Sequence, residues 1–320
     1  MTAHPTVAVL GATGGVGRHV CAAFEKTGAS VLGIARRTPD SPARHDMVAI
    51  DLAEVAPDRL AGLLTERHAR TVINATGGWV LTHQAMQRAH VTLVERLVTA
   101  CALMPDKPRI VHVGTIHEYG PVPAGTLIDE AVPPQPVTDY ARTKLAGSTA
   151  LLDATRGGLV DAVVLRAVNV CGPGTTSASF LGAVLDRLRS VRPGGHIPMT
   201  IADANRDYVD VRDLAEAVVS ASRAPAVGQV INIGRGVAVS IRDLVATLVA
   251  AAKLPPDTVV EQDAAIQSKG GDWTRADIRL AEQLLGWRPR IELDESLQAM
   301  WLAAQDAEKA HVPAADRRRT

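Results

Sequence analysis

The sequence predicts an α/β protein: a doubly wound parallel sheet with a smaller C-terminal lobe. Three observations carry this. Short Val- and Ile-rich runs alternate with longer helical stretches through the first half of the chain. Those runs are apolar throughout, as strands covered on both faces must be. After about residue 172 the alternation gives way to Gly- and Pro-rich loop chemistry.

Taken in order, "TVAVLG", "SVLGIA", "MVAI", "TVINA" and "RIVHVG" are the first five strands, each bounded by Gly, Asn or Asp. Helices are expected between them near residues 15–27, 56–68, 83–104 and 137–155, and "DAVVLRAVNV" gives a sixth strand near 161–170. "CGPGTTSASF" reads as loop, a helix follows near 178–190, and "RPGGHIPM" reads as a turn. "RDYVDVRDLAEAVVSAS" is a short strand entering a helix, and "GQVINIGRG" is a further strand. Segments 240–253 and 277–286 are helical, the second closed by Gly286. The polar end, "HVPAADRRRT", is expected to fray.

Composition narrows the function classes. Lys plus Arg equals Asp plus Glu at 34 each, so no global field favours nucleic acid or an anionic membrane. Cys21, Cys101 and Cys171 are widely spaced and form no CxxC pair, which suggests neither a disulfide framework nor a metal site. The opening "MTAHPTVAVLGATGG" has no basic n-region and reaches glycines after a short apolar run. No later run reaches the ~20 apolar residues that span a bilayer. A soluble cytoplasmic protein without a membrane or nucleic-acid partner is expected.

"VLGATGGVGRHV" places Gly11, Gly14 and Gly17 between the first strand and the first helix. Glycines there allow a sharp turn and close backbone approach to a pyrophosphate, and the helix start offers unpaired N–H groups. Gly11, Thr13, Gly14, Gly15, Val16 and Gly17 are therefore candidate dinucleotide contacts. The spacing is GxxGxxG rather than GxGxxG, and in this it resembles the short-chain dehydrogenase/reductase superfamily. That resemblance implies adenine contacts at Asp51 and Leu52, and places Ala75 and Thr76, which end the fourth strand, along the cofactor.

"YARTK" sets Tyr140 and Lys144 one helical turn apart on one face. A phenol is a weak acid at neutral pH, and a neighbouring ammonium lowers its pKa and makes proton donation practical. Thr115, in "IVHVGTIHEYGP", follows the fifth strand and lies 25 residues before Tyr140. Here the chain resembles the extended branch of that superfamily, the NAD-dependent epimerase/dehydratase family of nucleotide-sugar epimerases, dehydratases and reductases. "VLRAVNVCGPG", "RDYVDVRDLAEAV", "VINIGRGVAVSIRDLV" and "ADIRLAEQLLGWRPRIELDESL" extend the likeness over nearly the whole chain. It implies a Rossmann-type dinucleotide domain over residues 1–172 with 206–235 returning to it. A substrate-binding lobe would then comprise 173–205 and 236–305, and 306–320 would be a frayed tail.

The resemblance also implies roles: Thr115, Tyr140 and Lys144 catalytic, and Asn169, Arg206 and Lys269 toward the sugar nucleotide. Trp79 and His117 are candidate substrate contacts. The 4,6-dehydratases carry Asp-Glu directly after the active Thr, where this chain has Ile116 and His117, which argues against dehydration. NAD-using members end the second strand in an acid that holds the ribose 2′-OH. This chain has Ala35 followed by Arg36 and Arg37, suited to a 2′-phosphate. The expectation is an NADP(H)-dependent ketoreductase acting on the 4-keto group of a TDP- or UDP-linked deoxysugar. A 4-epimerase, a reductase of other ketones and a non-catalytic dinucleotide sensor are the alternatives. The family's Asn in the helix before strand five is replaced by His90, which reads as a packed or surface histidine rather than a relay. Relatives pair through the helices near 83–104 and 137–155, so a homodimer is expected, with a tetramer as the alternative.

Overall fold

The computed structural model describes residues 6–38, 43–78, 82–264, 266, 268 and 271–311. Its first half is five strands and the helices between them: β1 Thr6–Leu10, α1 Gly17–Lys26, β2 Ser30–Ala35, β3 Asp46–Ala49, α2 Pro57–Glu66, β4 Ala69–Asn74, α3 His83–Gln87, α4 Leu93–Leu103 and β5 Arg109–Thr115. A 3-10 turn, Ile116–Tyr119, leaves β5, and α5 Asp139–Arg156 leads to β6 Asp161–Ala167. The remainder comprises β7 Asn169–Cys171, α6 Phe180–Ser190, β8 Ile197–Met199, β9 Asn205–Asp210, α7 Val211–Arg223, β10 Val230–Ile233, β11 Ala238–Ser240, α8 Ile241–Ala251, β12 Val259–Glu261, α9 Arg279–Leu285 and α10 Leu293–His311.

Seven of the strands form one parallel sheet in the order β10-β6-β5-β4-β1-β2-β3. The direction of winding reverses between β1 and β4, where a crevice opens beyond the strand ends. Side chains alternate between the two faces. Val7, Val111 and Val163 pack with Val20 and Phe24 of α1 and with Leu214 and Val218 of α7. Ala8, Ile110 and Val164 pack instead with Leu60 of α2, Leu97 of α4 and Leu151 of α5. Burying one such Leu or Val stabilises the fold by ~1.5–3 kcal/mol, and this double covering is what keeps the strands apolar throughout.

A second core joins Leu181 and Leu185 of α6, Leu244 and Leu248 of α8, and Leu297 and Met300 of α10. Between the two cores, β7 and β11 flank β9 in a three-stranded sheet, and β8 pairs with β12. The expected sixth strand over 161–170 is thus two strands: β6 in the main sheet, and β7, which turns away to pair with β9. The segment expected to return to the main sheet divides likewise. β9 joins the smaller sheet, whereas α7 packs on α1 and β10 pairs with β6. "GGHIPM" holds strand β8, where a turn alone is expected. Among the described residues, no helix is long and apolar enough to cross a membrane.

Candidate active site

The glycine loop is built by contact. Gly11 adopts φ +78°, and a Cβ there would lie 3.0 Å from the Ala75 carbonyl. A Cβ on Gly17 would fall 2.0 Å from the Gly11 carbonyl, so only glycine lets α1 start this close to β1. α1 begins at Val16, which lines the crevice, without a side-chain cap. The cavity there measures about 730 Å³. Thr13, Gly14, Gly15 and Val16 line one end, with Arg36, Asp51, Leu52, Ala75 and Thr76 along it. Thr115, His117, Tyr140, Lys144 and Asn169 line it further on. An elongated cleft with a glycine cradle and an uncapped helix start at one end fits an extended dinucleotide.

The loop after β7 lies across this cradle. The Arg18 guanidinium donates to the Gly174 carbonyl, and His19 Nε2 lies 2.9 Å from the Pro173 carbonyl. Both side chains stand on the first turn of α1, so the glycine loop and the loop after β7 are tied at one place.

Thr138 caps α5 by accepting from the Ala141 amide (3.2 Å), which fixes the start of the helix two residues before Tyr140. Lys144 is buried, and its Nζ donates to the Val113 carbonyl at 2.7 Å. Burial brings its ammonium down to about 8, against the pull of the Glu118 carboxylate. Burial pushes the Tyr140 phenol up to about 12, Glu118 acts in the same direction, and a hydrogen bond with Thr115 opposes both. The spacing alone leads one to expect Lys144 to depress the phenol. Its Nζ instead faces a backbone carbonyl, and the groups acting on Tyr140 are Glu118 and Thr115.

The helix expected over 83–104 contains a π-helical turn, Arg88–Thr92, between α3 and α4. This turn carries His90, buried edge-on to the Tyr140 ring with centroids 5.5 Å apart. Its Nδ1 lies 2.8 Å from Thr143 Oγ1, and its Nε2 lies 3.3 Å from the Gly78 carbonyl. Burial and the nearby Lys144 charge bring the imidazole down to about 4, so it is neutral at physiological pH.

Toward the second lobe, Asn169 Nδ2 donates to the Asp207 carbonyl at 3.1 Å. His117 is brought down to about 4 by burial and by Arg206, with the hydrogen bond it donates to Asn169 acting against them. Arg206 is buried and donates to the Gly271 carbonyl and to Ser268, and it does not line the cleft. It pairs with neither Asp207, which accepts backbone amides from Arg235, Gly236 and Ala276, nor Asp210, which pairs with Arg212. Arg36 and Arg37 are both exposed, and Arg36 lines the cleft while Arg37 does not. Gly17 also stays out of the wall, consistent with its packing role. Trp79 and Lys269 lie outside the described residues.

Sequence reasoning missed a buried polar group beside Tyr140 and Lys144. Glu118 accepts from the Thr115 amide and pairs with Arg166 on β6, whose guanidinium stacks over the Tyr119 ring. Tyr119 in turn donates to Asn232 Oδ1 on β10 at 2.9 Å. A signal was available: Thr115-Ile-His-Glu118 is a capping box, and the structure forms it.

A dinucleotide-sized cleft that runs from a glycine cradle to a Thr, a Tyr and a buried Lys defines a nicotinamide-dependent class of enzyme fold. The chain belongs to the NAD dependent epimerase/dehydratase family, whose model matches residues 7–234. It is 38% identical over 312 residues to a dTDP-6-deoxy-L-talose 4-dehydrogenase (NAD(P)(+)) of Kitasatospora kifunensis, covering 96% of this chain and 98% of that one. A dTDP-L-rhamnose 4-epimerase of Burkholderia thailandensis is 32% identical over 180 residues, 54% of this chain and 48% of that one. Among solved structures, MoeE5 in complex with UDP-glucuronic acid and NAD superposes with a TM-score of 0.81 at 25% identity, covering 94% of this chain and 99% of that one.

Proposed function

We propose that the protein reduces the 4-keto group of a nucleotide-linked 6-deoxyhexose, with NADPH as coenzyme. The observation that carries this reading is Tyr140, a phenol that stays protonated to about pH 12 and is hydrogen-bonded to Thr115 at the wall of the dinucleotide cleft. A neutral phenol is suited to donate a proton to an alkoxide as it forms, the demand made by ketone reduction. The Kitasatospora relative is named for oxidoreduction at the same carbon, in the oxidative direction.

A bound nicotinamide dinucleotide supplies the hydride for such a reduction. Tyr140 gives its proton to the former carbonyl oxygen, and the Thr115 hydroxyl orients that oxygen and the phenol together. Lys144, cationic below about pH 8, holds the nicotinamide ribose by charge-assisted hydrogen bonds. Arg36 grips the 2′-phosphate where an NAD-selective strand end would present an acid. Asn169 and the neutral His117 receive the sugar, and the second lobe takes the nucleotide. The faces of α4 and α5 are where two copies would pair.

The test is coenzyme absorbance after mixing the protein with NADPH and dTDP-4-keto-6-deoxyglucose, with NADH in parallel. Stoichiometric loss of NADPH absorbance, at least tenfold faster than with NADH, is expected. Absence of loss, with interconversion of two nucleotide-sugar C4 epimers in the presence of NAD, would replace the reductase by an epimerase.

A further inference from the structure

Glu118 lies fully buried in the turn that leaves β5, and it joins three elements of the catalytic site. Its Oε1 accepts from the Thr115 amide at 3.0 Å and from Ser148 Oγ at 3.1 Å, and its Oε2 accepts from Arg166 Nε at 2.8 Å. Thr115 ends β5, Ser148 stands one turn beyond Lys144 on α5, and Arg166 belongs to β6. Room for the carboxylate is made by Gly114, where a Cβ would come within 2.7 Å of Oε1. The ion pair is dry: Glu118 and Arg166 have side-chain exposures of 0% and 5%. Desolvating such a pair costs about as much as its attraction returns, so stability alone is a weak reason for it to be there.

We infer that Glu118 is a positioning residue of the reaction, acting through Thr115 and Lys144. It holds the Thr115 backbone at the height the Tyr140 phenol requires, and its charge keeps the neighbouring Lys144 in the ammonium form. This rests on the proposed reading of the site. The field of Glu118 reaches both Lys144 and Tyr140. The other titratable groups facing Lys144 are His112 from β5, His90 from the π-helical turn and Tyr140 on its own helix. Burial lowers both imidazoles, that of His90 to about 4 and that of His112 well below the usual range, and Tyr140 stays protonated to about 12. The ion pair beside Lys144 is therefore that of Glu118 and, behind it, Arg166.

The experiment follows the Lys144 Nζ directly, by titrating the ¹³Cε-lysine NMR signals of the full-length protein. The Lys144 line is assigned by its loss in K144R. Two variants are compared with the native chain: E118Q/R166Q, which keeps the shape and replaces the ion pair by two amides, and E118D, which keeps the charge. The Lys144 midpoint is expected to fall by at least about half a pH unit in E118Q/R166Q and to stay near its native value in E118D. In variants that turn over, the alkaline limb of kcat should move with it. An unchanged midpoint in E118Q/R166Q, or an equal fall in both variants, overturns the inference. Should E118Q/R166Q fail to fold, E118D decides alone: a retained midpoint supports the inference and a lost one overturns it. The titration needs no sugar, so failure of NADPH consumption by the native chain would reject the proposed function and leave this result standing.

Discussion

Arg36 and Arg37 are neighbours in the chain and both exposed, and of the two Arg36 lines the cleft. On the proposed reading the pair would recognise a 2′-phosphate, with Arg36 the one placed to reach it. Arg36→Ala should raise the KM for NADPH by at least about tenfold, the value of one charge-assisted contact, while leaving NADH unaffected. Arg37→Ala should change neither; an equal loss from both would make the whole turn, and not Arg36, the selector. Tyr140→Phe should lower kcat by roughly 10²–10⁴ with coenzyme binding retained, read by turnover and by quenching of tryptophan fluorescence. The pH dependence of reduction follows from the same two side chains. Lys144 is lowered, so its charge is present below about pH 8 and lost above it, whereas Tyr140 keeps its proton to about 12. The rate should therefore fall through a single ionisation near pH 8. A rate that holds to pH 10 would remove the Lys144 charge from the mechanism.

At the scale of elements, the π-helical turn at Arg88–Thr92 sets the site's geometry. The stretch reads as one helix because its apolar positions keep a helical period, and one extra residue in a turn leaves no mark in composition. In the fold this turn sets the His90 carbonyl against Gly147 of α5, where a Cβ would come within 2.1 Å of that oxygen. Gly147→Ala must push the two helices apart. It should cost ~1–3 kcal/mol in denaturant unfolding and lower kcat, since Tyr140 rides on the same helix. A variant of native stability and activity would show that the contact relaxes freely. The glycine loop and the Tyr140–Lys144 spacing were legible in sequence because both are local, fixed by one turn or one helical period. Glu118 with Arg166, 48 residues apart, was not, since the burial of a charge pair is decided by the packing of β5, β6 and α5. The strands β8, β11 and β12 have three residues each, too few to display a period. Nor does the break between β6 and β7 interrupt the apolar run, because Val168 remains buried as the chain changes sheets.

The whole molecule carries its own pH dependence. His90 and His117 are each brought from 6.5 to about 4 in the folded chain, so between those values the unfolded chain binds more protons. Stability is complete above pH 6.5 and is lost as pH falls toward 4, on the order of 2–3 kcal/mol for each ring. Thermal unfolding monitored at pH 7, 5.5 and 4.5 should show a falling Tm. His117→Asn should remove part of that slope, and an unaltered slope would place the proton uptake elsewhere. The architecture also bears on how the chain comes off the ribosome. The main sheet ends on β10, which hydrogen-bonds to β6, and α7 covers the α1 face. Asn232 of β10 also donates to Ile128 O and Glu130, and accepts from Tyr119 in the 3-10 turn after β5. A nascent chain that has emerged only as far as Gly172 therefore has β6 as a bare edge and α1 uncovered, a sticky state that cannot complete itself. The main sheet becomes complete only when residue 233 is out, after α6 and β8 have already been made. Synthesis must pass through an interval in which the protein depends on being shielded or on being quick.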